Sequence, residues 1–362
     1  MTRIYLVRHA EAEGNLYRIA QGQYNSILTD RGWRQVEALR RRFADIRIDA
    51  VYASDLYRTC ATASAIYRPK GLELHRRRDL REICVGRWEQ KTWGDIARTD
   101  QEQLVNFNLH PEKWYVEGAE TPQQVLERVL AAVQEITAEN EGKAIAVVSH
   151  GYAIRLLLAE LEGYSLDRLS ETPVGGNTAV SLVEAENGRM RVVFRDDVSH
   201  LQTEAYLAGE KPRKRDSALE PGLCFAPLQL PEQEDFLADC VSAAWTESGK
   251  AVPFDRARLL ADAAERTTLV GYLDEKPVGL VQLGPETGWI SLACVEPACR
   301  SRGFGVQLLG QAVRLTREHE GRELRLSLAE NASTAGFFRK HGFRTAGGPV
   351  LIKDIGYDPE YL

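Results

Sequence analysis

At 362 residues the chain is long for one hydrophobic core and comfortable as two domains of roughly 100–200 residues each. Hydrophobic residues make up 44 % and charged residues 27 %, with no low-complexity tract, which excludes a disordered or fibrous chain. A net charge of −6 gives no electrostatic case for a nucleic-acid or membrane surface, and no apolar run reaches the ~18 residues of a membrane span, so small-molecule partners are expected.

The opening residues carry Arg3, Arg8 and Glu11 where a secretory leader needs an unbroken apolar stretch, so a cytoplasmic protein is expected. Six cysteines (60, 84, 224, 240, 294 and 299) form no Cys-x-x-Cys pair and read as free thiols of a reducing compartment.

In the first half, β-rich runs at Ile4–Val7, Ala50–Ala53 and Ala144–Ser149 alternate with segments of helical period, the pattern of strand–helix–strand units about a mostly parallel sheet. Asp30 or Thr29 can cap a helix burying Val36, Leu39 and Phe43, and Ser54 can cap one running through Ile66. Thr121-Pro122-Gln123-Gln124 joins an N-cap, a first-turn proline and a glutamine three residues on. It opens a helix that buries Val125, Val129, Val133 and Ile136.

Around residues 205–222 periodicity fails and Gly, Pro and the basic run Lys211–Arg215 collect, as in an exposed, solvated linker. The expected division is therefore 1–205, a linker at 206–221, and 222–362. Beyond it we expect a helix around Glu232–Ala244, strands near Thr268–Tyr272, Val278–Leu283 and Trp289–Val295, and a helix Phe304–His319. A strand Glu323–Ala329, a helix Ala332–His341 and a strand near Val350–Ile355 complete the order.

His9 follows the first strand and His150 the strand at Ala144–Ser149, both at carboxyl ends, where ligand sites of parallel sheets lie. Arg8 adjoins His9, and Arg58 sits near the start of the helix after Ala50–Ala53. Two guanidinium forks plus helix N-terminal amides suit a dianionic phosphate, with Ser54 and the Gly151 amide as further donors. Imidazole has a pKa of about 6.5, and cationic neighbours disfavour its protonation, so a lone pair is available near neutrality.

LVRHAEAEGN at 6–15, AVYASDLYRTCATAS at 50–64, LREICVGRWEQ at 80–90 and VVSHGYAIRLLL at 147–158 resemble the signature segments of the histidine phosphatase (phosphoglycerate-mutase-like) superfamily over roughly residues 2–203. The resemblance implies His9 as nucleophile, Glu82 as proton donor and then base, and Arg8, Arg58 and His150 as the phosphate pocket. Asn15 and Gln21 are implied as supporting contacts beside the Gly151 amide already noted, and no metal is implied. The compact domain is similar to the hydrolytic branch rather than to the mutases, which carry longer insertions. Gln90 stands where relatives commonly have glycine. Trp88, Trp93, Phe107, Trp114 and Tyr115 lie in the region that would cover the site, as core packing or as an apolar lid.

In the second half, CVEPACRSRGFGVQLLGQAV at 294–313 runs from a strand through a glycine-bearing loop into an amphipathic helix, and successive amides of the loop can face a pyrophosphate. With NASTAGFFRKHGF at 331–343, this segment resembles GNAT-type N-acetyltransferases. The resemblance implies acetyl-CoA held by Arg300, Ser301, Arg302, Gly303, Phe304 and Gly305, with the strand edge at Cys294 and Val295 beside the pantetheine, and Asn331 and Phe338 nearby. Many relatives have a tyrosine at the last position, and a phenyl ring donates no proton. Glu286 or an ordered water can accept the amine proton.

The fold class is thus α/β: a three-layer N-terminal domain with a mostly parallel sheet and a mixed α/β C-terminal domain. The leading reading is a bifunctional enzyme acting on a phosphomonoester and on an amine with acetyl-CoA. Alternatives are a phosphatase regulated by a non-catalytic acyl-CoA-binding domain, and a cofactor-dependent phosphoglycerate mutase. The oligomeric state stays open between monomer and homodimer.

Overall fold

The computed structural model describes residues 1–203, 206, 222–247, 255–328, 332 and 334–362. Apart from Tyr206, the expected linker with its basic run Lys211–Arg215 lies outside the described residues, as does Asn331.

Strands β1 (Thr2–Arg8), β2 (Ala50–Ser54), β3 (Leu74–Arg77), β4 (Ala144–Ser149), β5 (Val180–Glu186) and β6 (Arg189–Asp197) form one sheet in the order β3-β2-β4-β1-β5-β6. The first four are parallel; β5 runs antiparallel to β1 and β6 returns on β5. Successive side chains point to opposite faces. Ile4, Leu6, Tyr52, Ile145 and Val147 therefore enter one core, and Val7, Val51, Ala53 and Val148 the other.

Helices α1 (Glu13–Tyr17), α2 (Asp30–Arg42), α3 (Tyr57–Tyr67), α4 (Trp93–Thr99), α5 (Gln101–Leu109), α6 (Pro122–Glu139) and α7 (Gly151–Leu161) complete this half. Residues of α2 and α3 fill one core and those of α6 and α7 the other, giving three layers. The expected buried stripe of α6 is present: Val125, Val129, Val133 and Ile136 are at most 2 % exposed. Each such burial stabilises by roughly 1.5–3 kcal/mol, which outweighs the poor helix propensity of valine, at most about 0.7 kcal/mol per residue.

Thr29 caps α2 by accepting the Gly32 amide at 3.0 Å, and Thr121 with Gln124 forms the expected capping box of α6. Ser54 does not cap α3. It ends β2, Asp55 and an extended Leu56 follow, and α3 starts after Leu56 with no side-chain cap, which leaves the serine hydroxyl facing His150.

In the second half, β7 (Cys224–Pro227), β8 (Thr268–Leu273), β9 (Lys276–Leu283) and β10 (Ile290–Val295) make an antiparallel sheet in the order β10-β9-β8-β7. Strands β11 (Glu323–Ser327), β12 (Arg344–Gly347) and β13 (Val350–Asp354) make a second sheet in the order β11-β13-β12. A parallel bridge between Trp289 and Arg325 joins the two. Helices α8 (Glu234–Glu247), α9 (Arg256–Glu265), α10 (Phe304–Glu318) and α11 (Ala335–Lys340) pack on them. Leu16, Tyr17 and Ile19 share a hydrophobic cluster with Leu308, Leu309 and Val313, whereas Tyr361 is buried in a core of the first half.

Candidate active site

The site begins as a consequence of register. β1 and β4 are parallel neighbours with Arg8 opposite Ser149, so the next residue of each strand, His9 and His150, emerges at the same sheet end. Their ring centroids lie 5.3 Å apart.

The Nδ1 of His9 is 2.8 Å from the Ala10 carbonyl. A carbonyl oxygen only accepts, so Nδ1 carries the proton and Nε2 keeps the lone pair. Burial, then the charges of Arg58 and Arg8, hold this imidazole well below its usual pKa, against the opposing pull of the Ala10 bond. His9 is thus a neutral nitrogen base among cations.

His150 precedes α7 and is fully buried, with Nε2 2.9 Å from the Ser54 hydroxyl. Its Nδ1 has no hydrogen-bond partner among the described residues. Burial, followed by Arg58 and His9, holds its pKa low as well.

Arg8 donates from Nη1 to the Gly175 carbonyl at 2.5 Å. The fully buried Arg58 donates to the carbonyls of Tyr24 at 2.9 Å and Gly22 at 2.7 Å, with Gln21 at 3.4 Å. Burial lowers Arg58 to about 10, partly offset by Glu82 and Glu89, so it stays cationic at neutrality. The Nε atoms of Arg8 and Arg58 are buried without a hydrogen-bond partner among the described residues. Together with His150 Nδ1 they are unspent polar atoms in a positive recess, the condition an anionic ligand relieves.

Glu82 sits on the N-terminus of α7, accepting from the amides of Tyr152 and Ala153, each at 3.0 Å. Its carboxyl oxygens thus occupy two of the amides that a helix start leaves without an intrahelical partner. Its segment is fastened by Arg128, which reaches the carbonyls of Asp79, Arg81 and Glu82 at 2.7–2.9 Å and pairs with Glu120.

Asn15 accepts from the Ala12 amide at 3.0 Å and Gln21 from the Ser26 hydroxyl at 2.8 Å, so these two side chains shape the loop between α1 and α2. Gly151 lies against Arg8: a Cβ there would stand 3.1 Å from its Cζ.

Sequence reasoning missed Asn177, whose amide donates to the His9 carbonyl at 3.0 Å, and Arg128, which reads as a solvated helix residue. A signal for the first existed in the Gly175-Gly176-Asn177 turn before β5. Of the aromatic group, Trp88 and Trp114 are buried in the core, Phe107 stacks on Tyr152 at 5.0 Å, and Tyr115 is 71 % exposed. Gln90 itself adopts the left-handed conformation, φ 65°, that glycine favours.

In the second half, Gly303 is the N-cap of α10 at φ 83° and no side chain among the described residues caps that helix. Its first-turn amides are therefore open to an anion. Arg300 donates from Nε to the Val295 carbonyl at 3.0 Å, and Arg302 lies over the Phe304 ring at 4.9 Å. Phe338 is 6 % exposed, edge-on to Phe337 and Phe343. Glu286 is exposed in the turn before β10. All six cysteines are free thiols, with the sulfurs of Cys240 and Cys294 3.3 Å apart.

Residues 4–198 match the histidine phosphatase superfamily (branch 1), and residues 231–343 the acetyltransferase (GNAT) family. The putative phosphoserine phosphatase 2 of Hydrogenobacter thermophilus is 26 % identical over 200 residues, 55 % of this chain and 98 % of that protein. The probable phosphoglycerate mutase GpmB of Salmonella typhi is 30 % identical, over 57 % of this chain and 97 % of its own length. The solved structure of YhfR from Bacillus stearothermophilus is 31 % identical with a TM-score of 0.54, covering 56 % of this chain and all of that one. No helix among the described residues is long and apolar enough to cross a membrane. The chain belongs to the histidine phosphatase superfamily and carries a GNAT acetyltransferase domain behind the phosphatase domain.

Proposed function

We propose that residues 1–205 hydrolyse a small phosphomonoester through a phosphohistidine on His9, without a metal ion, and that residues 222–362 bind acetyl-CoA for N-acetyl transfer in the cytoplasm. The observation that carries the first part is the neutral His9, its Nδ1 tied to the Ala10 carbonyl, set among Arg8, Arg58 and His150 with three buried nitrogens unsatisfied.

In the reaction, the Nε2 lone pair of His9 forms the N–P bond as the ester P–O bond breaks. The departing oxygen takes a proton from Glu82. Arg8, Arg58 and His150 stabilise the charge spread over the equatorial oxygens. Water then attacks the phosphohistidine, Glu82 recovers a proton, and inorganic phosphate and neutral His9 result. Ser54 holds the His150 ring, and Asn177 holds the His9 backbone.

Phosphoserine is the first substrate to test, because a relative bears that name; GpmB's name makes bisphosphoglycerate-dependent isomerisation the second. Hydrolysis of para-nitrophenyl phosphate and phosphoserine by EDTA-treated wild type and His9→Ala, with trapping of an acid-labile phosphoenzyme, tests the mechanism. Loss of label and turnover together supports it, and turnover that survives the substitution overturns it.

Acetyl-CoA fits the second domain because the amides of Arg300 to Gly305 lead into an uncapped helix, beside the strand edge at Val295. When bound, it supplies the activated acyl group. Phe338 offers no proton, so the leaving thiolate needs another donor. Tight acetyl-CoA binding without acetylation of any amine favours a regulatory role for this domain.

A further inference from the structure

The two domains meet on α1 and the loop between α1 and α2, the stretch that holds Asn15 and Gln21. On its inner side, the carbonyls of Gly22 and Tyr24 receive the Arg58 guanidinium, while the amides of Gln23 and Tyr24 donate to Glu89 at 2.8 and 3.0 Å. On its outer side lies α10. Arg317, near the C-terminal end of that helix, pairs with both oxygens of Glu13 at 2.7 and 3.2 Å and reaches the Tyr24 hydroxyl at 3.3 Å.

Glu13 is only 4 % exposed. A carboxylate taken out of water needs a partner, and here the partner comes from the other domain. Arg317 is itself braced, donating to the Ile355 carbonyl at 2.6 Å and lying over the Tyr357 ring at 5.1 Å. The Tyr357 hydroxyl in turn donates to the Asn25 carbonyl at 2.9 Å. Asn25 also accepts the Tyr57 amide at 2.8 Å, one residue before Arg58.

Packing makes the contact close. A Cβ on Gly310 would stand 2.6 Å from that of Tyr17, so only glycine lets α10 approach α1 this closely. Tyr24 is thus shared: its carbonyl holds Arg58 and its hydroxyl faces Arg317. Relatives covered to 97–98 % of their length by this half alone have no second domain against the loop.

We propose that Arg317 of the acetyltransferase domain is a positioning residue of the phosphatase site, acting through Glu13 and Tyr24 on the loop that aims Arg58. The proposal rests on the phosphohistidine reading above. It predicts that the phosphatase half loses phosphate affinity when a residue of the other domain is altered.

The test uses the full chain, with inorganic phosphate binding by calorimetry beside kcat and KM for para-nitrophenyl phosphate. Arg317→Met is expected to weaken phosphate binding and lower kcat/KM by about tenfold, the scale of a loosened reacting geometry. Arg317→Lys should recover part of the loss. Glu13→Gln with Arg317→Met should do no more damage than Arg317→Met alone, because the two act as one unit. Val270→Ala, a cavity in a separate core of the second domain, should lower the melting point without moving phosphate affinity.

Wild-type phosphate affinity and kcat/KM in Arg317→Met overturn the proposal. If that variant does not fold, Arg317→Lys and Glu13→Gln decide by the same two readings. A wild type that neither binds phosphate nor turns over overturns the phosphatase reading and this one with it. A wild type that binds phosphate, with unchanged affinity in all three variants, overturns this one alone.

Discussion

Gly151→Ala separates the geometry of the proposed phosphate recess from the stability of the fold. Gly151 is the first residue of α7, and a Cβ there would stand 3.1 Å from both Cζ and Nε of Arg8. Ordinary packing needs about 3.5 Å or more between such atoms, so the guanidinium must retreat by roughly 0.4 Å while tethered to the Gly175 carbonyl. Misplacement on that scale is expected to cost about tenfold in kcat/KM, which is about 1.4 kcal/mol of transition-state stabilisation. Stability should move the other way or not at all, because alanine exceeds glycine in helix propensity by up to about 1 kcal/mol. Steady-state hydrolysis and a thermal melt on the same sample give both numbers. Full activity with a raised melting point would mean that Arg8 does not need its present position, and the assignment of the recess would fail.

Other outcomes are expected at both sites. His9 and His150 have folded pKa values below 6.5, so their share of stability is complete above pH 6.5 and is lost as pH falls through the depressed values. Denaturant melts between pH 7.5 and 5 should show that slope shrink in His9→Ala, and an unchanged slope contradicts a buried neutral His9. Glu82→Gln should slow hydrolysis of an alkyl phosphate by about 10²–10⁴-fold and that of para-nitrophenyl phosphate much less, because nitrophenolate leaves without a proton; equal losses on both substrates argue against Glu82 as the acid. Trp88→Ala should destabilise by about 3–5 kcal/mol, read as a denaturant midpoint, since Trp88 is fully buried. Gly303→Val should weaken acetyl-CoA binding, measured by calorimetry, because valine is strained at φ 83°; phosphatase activity unchanged in the same protein shows that the loss is local.

Much of the site was legible in the sequence because its residues sit at fixed offsets from strong local signals. His9 and His150 each follow an apolar strand, and Arg58 sits at the start of a helix, so chain-local patterning placed them at one sheet end. Ser54 was misread as a cap for the same reason: a serine before a helix has a local role, and its turn toward His150 depends on a residue 96 positions away in sequence. Asn177 and Arg128 escaped notice because the contacts that tie them to the site are to backbone carbonyls, which carry no residue identity.

By itself the sequence determined two α/β units, the alternation that buries both sheet faces, the capping of α2 and α6, and the residues proposed to bind a phosphate. Tertiary structure alone decided that β1 and β4 pair with Arg8 beside Ser149, which brings the histidines together, and that Arg317 meets Glu13. The physical reason is range. Periodicity, caps and turns are satisfied within a few residues, whereas a buried charge or an unsatisfied carbonyl takes whichever partner the packing of distant elements brings to it.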